Sequence, residues 1–202
     1  MYNSSTDFND FWRCLIMDIV TSQANLSEKD TQYNRRCLLR CFIAAIEGMS
    51  YHLKQSCLWI YQLHVENNQP IKLTHEDIGL LKEETYALNS RGGVQASQKF
   101  LPTAESFRFA LNTYFKCSKC DVKLEVGDNG WASLQNTIKV RNRITHPKSL
   151  VDLSISEADL AQINCATFWF MSTITTAVTC VNDKLSENIR ILAARQKSGG
   201  VR

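Results

Sequence analysis

Apolar residues recur at three- and four-residue intervals along most of the chain, and no long segment keeps the strict apolar-polar alternation of a half-buried strand. Phe8, Phe11, Trp12, Leu15, Ile16 and Ile19 form one stripe, which predicts a helix from about Asp7 to Thr21 with Thr6 or Asp7 as its cap. The run NLSEKD breaks the chain there. From Ser27 to about Val65 only Gly48 interrupts the pattern, predicting one long helix with Gly48 as the place for a kink, ended by ENNQP. Thr74 followed by His75, Glu76 and Asp77 predicts a capped helix that continues through IGLLKEETYALN and stops near SRGG, with Gly92 and Gly93 in a loop. After Pro102, TAESFRFALNTYFK predicts another helix, and CSKCDVKLEVGDNG an irregular connection with room for a short strand or turn. A helix beginning near Trp131 must end at about His146, because the residue before Pro147 is disfavoured in the α region. SISEADL predicts the capped start of a last long helix to about Ala194, leaving 195–202 as a flexible tail.

These elements imply an all-α protein: a single domain over residues 1–202, built as a bundle of five or six mostly antiparallel helices. With 202 residues and 44% hydrophobic content, the chain has material for one substantial core. The segment Leu160–Val181 carries no charge over a length that would span a bilayer. Its Gln162, Asn164, Ser172 and five threonines instead predict a core helix buried on most sides and no membrane partner.

A net charge of +3 is too mild to make the whole surface a nucleic-acid binder, so an anionic partner has to be held by local clustering. The first residues, MYNSSTDFND, lack the basic and apolar regions of a secretory signal, which predicts a reduced, cytoplasmic protein. Among its eight cysteines, Cys14, Cys41, Cys57, Cys165 and Cys180 lie between apolar neighbours and are expected to pack as small hydrophobes. Cys117-x-x-Cys120 is half of a zinc site. Cys37 and Cys41 would supply the other half only if the fold brought them there, and nothing in the sequence does, so neither metal nor cofactor is expected. Free thiols beside Lys116 and Lys119, which favour thiolate, leave a redox role open.

There is no phosphate loop of the GxxxxGK[ST] type, no HExxH zinc helix and no GxSxG elbow. His52, His64 and His75 have no neighbours at ligand or triad spacing and read as helix-surface or partly buried residues. KVRNRITHPKS, residues 139–149, is different. On a helix ending at His146, Asn142 lies one turn earlier on the same face, close enough for its amide to orient the imidazole. Arg141 is a quarter-turn from Asn142, with a planar fork suited to phosphate while a histidine handles a proton. Trp131, Leu134 and Ile138 share a side with Asn142, and Val140 and Ile144 lie nearly opposite. Two apolar sides call for two covers, the second being another subunit that places His146 near a two-fold axis. The plainer alternative is a helix covered twice within one chain, its last-turn cations solvated and its histidine near the helix dipole.

Arg141-Asn142-x3-His146 resembles the Arg-polar-x(3–5)-His signature of the HEPN superfamily, the higher eukaryotes and prokaryotes nucleotide-binding helical domains. The resemblance is specific over Gly127–Ser149, where the motif closes a helix introduced by the pair Gly130-Trp131, and elsewhere extends only to a helical pattern. It implies a homodimer with a composite active site, acting as a metal-independent endoribonuclease whose products carry 2′,3′-cyclic phosphate and 5′-hydroxyl ends. The roles it implies are acid/base chemistry for His146, contact with the scissile phosphate for Arg141 and orientation of His146 for Asn142. Lys139, Arg143 and Lys148 would attract the RNA backbone. It further implies toxin, abortive-infection or antiviral work, with an inhibitor or activator protein as a partner. The sequence departs from HEPN toxins silenced by a nucleotidyltransferase: those carry tyrosine two residues after the histidine, where Lys148 stands here. A non-catalytic HEPN-like module binding RNA, nucleotide or protein, and a purely structural helical subunit, remain open. Glu47, amid apolar residues in FIAAIEGMSYHL, reads either as an acid paired with Arg141 that orders the site or as a residue of the helix surface.

Overall fold

The computed structural model describes the backbone of residues 4–66, 71, 73–124 and 126–199, and side chains over the same residues except 4–9, 185 and 187–199. Helix α1 (Ser4–Glu28) turns through three residues into α2 (Gln32–Glu66), which packs back along it. Asn34 closes the corner, its side-chain amide donating to the Lys29 and Asn25 carbonyls at 2.8 and 3.1 Å. Helix α1 starts before the expected Thr6 or Asp7 cap, and Phe8 of the expected stripe falls outside the described side chains. Helix α2 runs unbroken through Gly48. A Cβ there would stand 2.9 Å from Phe11 Cζ, so the glycine serves close approach of α1.

The next segment corrects the expectation of a helix through Asn89. Thr74 does cap α3 (His75–Leu81), reciprocally with Asp77, but α3 lasts seven residues. Glu83 then takes a left-handed backbone (φ 56°) and β1 (Glu84–Leu88) begins. It pairs antiparallel with β2 (Val94–Gln98), with Leu88 opposite Val94 and Tyr86 opposite Ala96. The turn is closed by Asn89, whose side-chain oxygen accepts from the backbone N–H groups of Arg91 and Gly93 at 3.0 and 2.9 Å. Gly92, at φ 75°, supplies the conformation that turn needs. Apart from Glu84, the residues of both strands are exposed, so the hairpin stands outside the core.

Helix α4 (Thr103–Ser118) lies on α2, and α5 (Asn129–Thr145) and α6 (Glu157–Gly199) pack along each other. A 3₁₀ turn at Leu150–Leu153 interrupts the α5–α6 connection. Helix α6 continues past Ala194, so residues 195–199 of the expected tail are helical, and 200–202 lie outside the described residues. Phe170 of α6 joins the layers, its ring 5.8 Å from Phe42 of α2, 5.4 Å from Phe107 of α4 and 6.0 Å from Trp12 of α1. Among the described residues, no helix is long and apolar enough to cross a membrane. Nor is the uncharged part of α6 buried on most sides. Ile163, Ala166, Phe170, Ile174 and Ala177 face the core, while Asn164, Phe168, Ser172 and Thr175 are exposed.

Candidate functional site

Asp128 caps α5 by accepting the Trp131 N–H at 2.9 Å. Gly130 lies against Trp169 of α6, where a Cβ would come within 2.1 Å of the indole, and Trp131 meets that same ring edge-on at 5.7 Å. The Gly-Trp pair is therefore explained by helix-helix contact. Buried residues Gly130, Trp131, Ser133, Leu134, Thr137, Val140 and Ile144 form one broad arc, covered by α6 with smaller contributions from α2 and α4. The two apolar sides expected from the sequence are the two edges of that arc. The chain itself covers both, and the inference of a second subunit from helix faces falls.

The outward face of α5 carries Gln135, Asn136, Lys139, Asn142 and Arg143, all exposed. Arg141 turns inward between α2 and α4. Its Nη2 donates to Glu47 Oε1 at 2.5 Å and to Thr103 Oγ1 at 3.1 Å, and its Nε is buried with no acceptor among the described residues. The Glu47 side chain is 52% exposed and that of Arg141 25%, so both readings of Glu47 hold: it lies at the helix surface and it pairs with Arg141. Thr103 was not singled out in the sequence; its role follows from the first turn of α4 abutting α2 and α5.

Arg143 Nη2 donates to the Ser154 carbonyl at 2.8 Å and to Asp159 Oδ2 at 2.9 Å, tying the α5–α6 connection to both helices. Burial raises the Asp159 pKa, but hydrogen bonds from the Ser156 backbone, Arg143 and the Ser156 hydroxyl together hold it below the usual carboxylate range. The connection is also anchored to α2: Arg36 donates to the Leu153 carbonyl at 3.0 Å, and Arg35 and Gln32 to that of Ile155 at 2.9 and 3.0 Å. Asp152 Oδ2 accepts from the backbone N–H groups of Lys148 and Ser149, each at 2.9 Å, and this holds its carboxyl low.

His146 is the C-cap of α5, with φ −123° and ψ 60°, its N–H bonded to the Asn142 carbonyl at 3.1 Å. Its side chain is exposed, as are those of Asn142 and Lys148, and among the described residues no hydrogen bond joins the Asn142 amide to the imidazole. Lys139 donates to the Asn136 amide oxygen at 3.2 Å. Thus the six residues singled out lie at one helix end and the loop after it, with Arg141 and Arg143 ion-paired and Asn142, His146, Lys139 and Lys148 facing solvent.

The thiols of the CxxC segment do not form a basic loop site. Cys117 is buried against Cys57, with which it shares a hydrogen bond, while Cys120 shares one with Cys180. That bond and the neighbouring Lys116 favour the Cys117 thiolate, whereas burial and Cys180 push Cys120 up to about 12. Among the described residues no three histidine, cysteine or acidic side chains converge as metal ligands. Of the five cysteines expected to pack, Cys57 is buried and Cys41 and Cys180 are half-buried, but Cys14 and Cys165 are exposed on outward faces of α1 and α6.

The chain matches no protein-family model, no curated protein and no solved structure.

Proposed function

We propose that this protein is a HEPN-type endoribonuclease in which 2′-hydroxyl attack on phosphorus forms the 2′,3′-cyclic phosphate as the bond to the 5′-oxygen breaks. The nucleophile belongs to the RNA, so the protein need only take the 2′-hydroxyl proton, give one to the departing 5′-oxygen and stabilise the phosphorane charge. His146 does the proton work and Arg141 the electrostatic work. Asn142, whose carbonyl accepts the His146 N–H, is assigned to orient His146, and Lys139, Arg143 and Lys148 to attract the RNA backbone.

The observation that carries this reading is the fixed guanidinium of Arg141, clamped by Glu47 and Thr103 and close in sequence to an uncovered imidazole. A clamped cation needs no reorganisation when charge develops beside it. Residues 141 and 146 are about 140° apart around an ideal helix, so one protomer does not aim both at the same phosphate. A homodimer with two facing motifs would bring two guanidiniums and two imidazoles together, one imidazole as base and one as acid. Cutting host or phage RNA in a defence system, under an inhibitor or activator protein, is the biological role that goes with this chemistry.

One observation favours the second reading, a non-catalytic module for RNA, nucleotide or protein: Arg141 and Arg143 already have carboxylate partners. Incubating the purified protein with mixed tRNA and mRNA in EDTA separates the two. The nuclease leaves cyclic-phosphate ends that disappear with a folded His146→Ala variant. Binding without cleavage, weakened in Arg143→Ala and retained in His146→Ala, supports the module. Equal cleavage by wild type and His146→Ala removes His146 from the mechanism.

A further inference from the structure

Phe100 is 84% exposed, and the short connector that carries it is fixed at both ends. Before it, the Lys99 N–H donates to the Glu83 carbonyl at 2.7 Å. The Glu83 carboxylate in turn accepts from Lys54 Nζ at 2.7 Å, and Lys54 is a wholly buried lysine. After it, the same ammonium donates to Ser106 Oγ in the first turn of α4 at 2.6 Å, and Thr103 Oγ1 accepts from Arg141. One buried cation thus secures the base of the hairpin and the start of α4, with Phe100 between them. A buried lysine satisfied on two sides is costly to displace, which makes the connector a rigid mount.

Phe100 is three positions from Thr103, whose hydroxyl touches Arg141, a span of at most about 10 Å between their Cα atoms. The ring is therefore within reach of a nucleotide neighbouring one whose phosphate lies at Arg141. An uncovered aromatic ring within one nucleotide's reach of a cation is a combination that holds unpaired nucleotides, since every base offers a π-face to stack once it leaves a duplex. On the neighbouring hairpin, exposed Leu88 and Val94 have no ring to offer, and the Tyr86 ring is tied through its hydroxyl to Glu84 Oε2 at 2.5 Å.

Resting on the nuclease reading above, we propose that Phe100 stacks on an unpaired nucleobase next to the scissile phosphate. The test is steady-state cleavage of a single-stranded oligoribonucleotide, and of the same strand annealed to its complement, by wild type, Phe100→Ala, Phe100→Trp and the control Leu88→Ala. Expected are weak cleavage of the duplex, a KM about tenfold or more higher for Phe100→Ala with a smaller change in kcat, recovery in Phe100→Trp, and wild-type behaviour of Leu88→Ala. An active wild type unaffected by Phe100→Ala, affected equally by Leu88→Ala, or not rescued by tryptophan overturns the stacking role and leaves the nuclease standing. A preference for the duplex overturns stacking on an unpaired base. A wild type that cleaves neither RNA overturns the nuclease reading, and the stacking role falls with it.

Discussion

The two ends of α5 are built differently, although both contributed to the resemblance seen in the sequence. At the first end, Gly130 and Trp131 are consumed by contact with Trp169, and packing accounts for both residue types. At the other, Asn142 and His146 are exposed, while Arg141 is held by side chains of α2 and α4 and Arg143 by Asp159 of α6. A glycine against an indole needs no ligand to explain it. A histidine exposed at a helix end is not accounted for by packing. The contrast divides a motif into a part that assembles the helix pair and a part that is available for chemistry.

Four substitutions or conditions break or sharpen that contrast. His146→Ala should lower RNA cleavage about 100-fold or more, the usual contribution of a proton-transfer residue. Its melting temperature should stay with wild type, because the exposed ring supports no packing. Gly130→Ala should do the reverse. A Cβ placed 2.1 Å from Trp169 Cδ1 forces the helix pair apart, at a cost of about 3 kcal/mol, which thermal melting should show as a fall of about 6–12 °C. An unchanged melting temperature in this variant would break the comparison.

Glu47→Gln lies between these extremes. Its ion pair is half-exposed, so stability should change by less than about 1 kcal/mol. Cleavage should fall about tenfold as Arg141 loses its clamp, with Glu47→Asp recovering part of the loss in kcat. The smallest effect is that of acid on the α5–α6 connection. Asp152 and Asp159 both titrate below their ordinary value of 3.8 in the fold, so their contribution is complete above that value and is lost as pH falls through the lower folded pKa values. The protection factors of the Lys148 and Ser156 amides should hold at pH 5 and fall below pH 3.8. Gly130, packed elsewhere, should not respond in that range.

A second titration concerns the α1–α2 layer. Burial lowers the pKa of His52, whose ring lies 4.0 Å from that of Phe11. The unfolded chain then binds the proton more readily, so this layer should lose stability as pH falls from about 6.5 towards the lower folded pKa. Urea melts of wild type and His52→Phe at pH 7.5 and 5.5 measure it, with the difference expected in wild type alone.

The helical class and the long elements were legible because helix periodicity and caps are local. Stripes of large apolar residues outlined α1, α2, α4, α5 and α6, and Thr74 with Asp77 marked where α3 begins. The stop of α3 was not legible. Glu83 adopts a left-handed backbone that glutamate rarely signals, and it does so where its carboxylate reaches Lys54, 29 positions away. A hairpin hung on such a contact has exposed strands, so it leaves no buried-face pattern to read.

The sequence alone determined that a basic, histidine-ended helix would stop before Pro147, because proline's ring excludes the α region from its predecessor whatever surrounds it. It also supplied the residue types a phosphate and a proton require. Only the tertiary structure decided how they are used: Arg141 turns to Glu47 and Thr103, Arg143 braces the following loop, and α2, α4 and α6 cover both apolar edges of α5. Pairing across 94 and 38 positions depends on which helices touch, and that is set by the summed burial of the core and not by any local spacing.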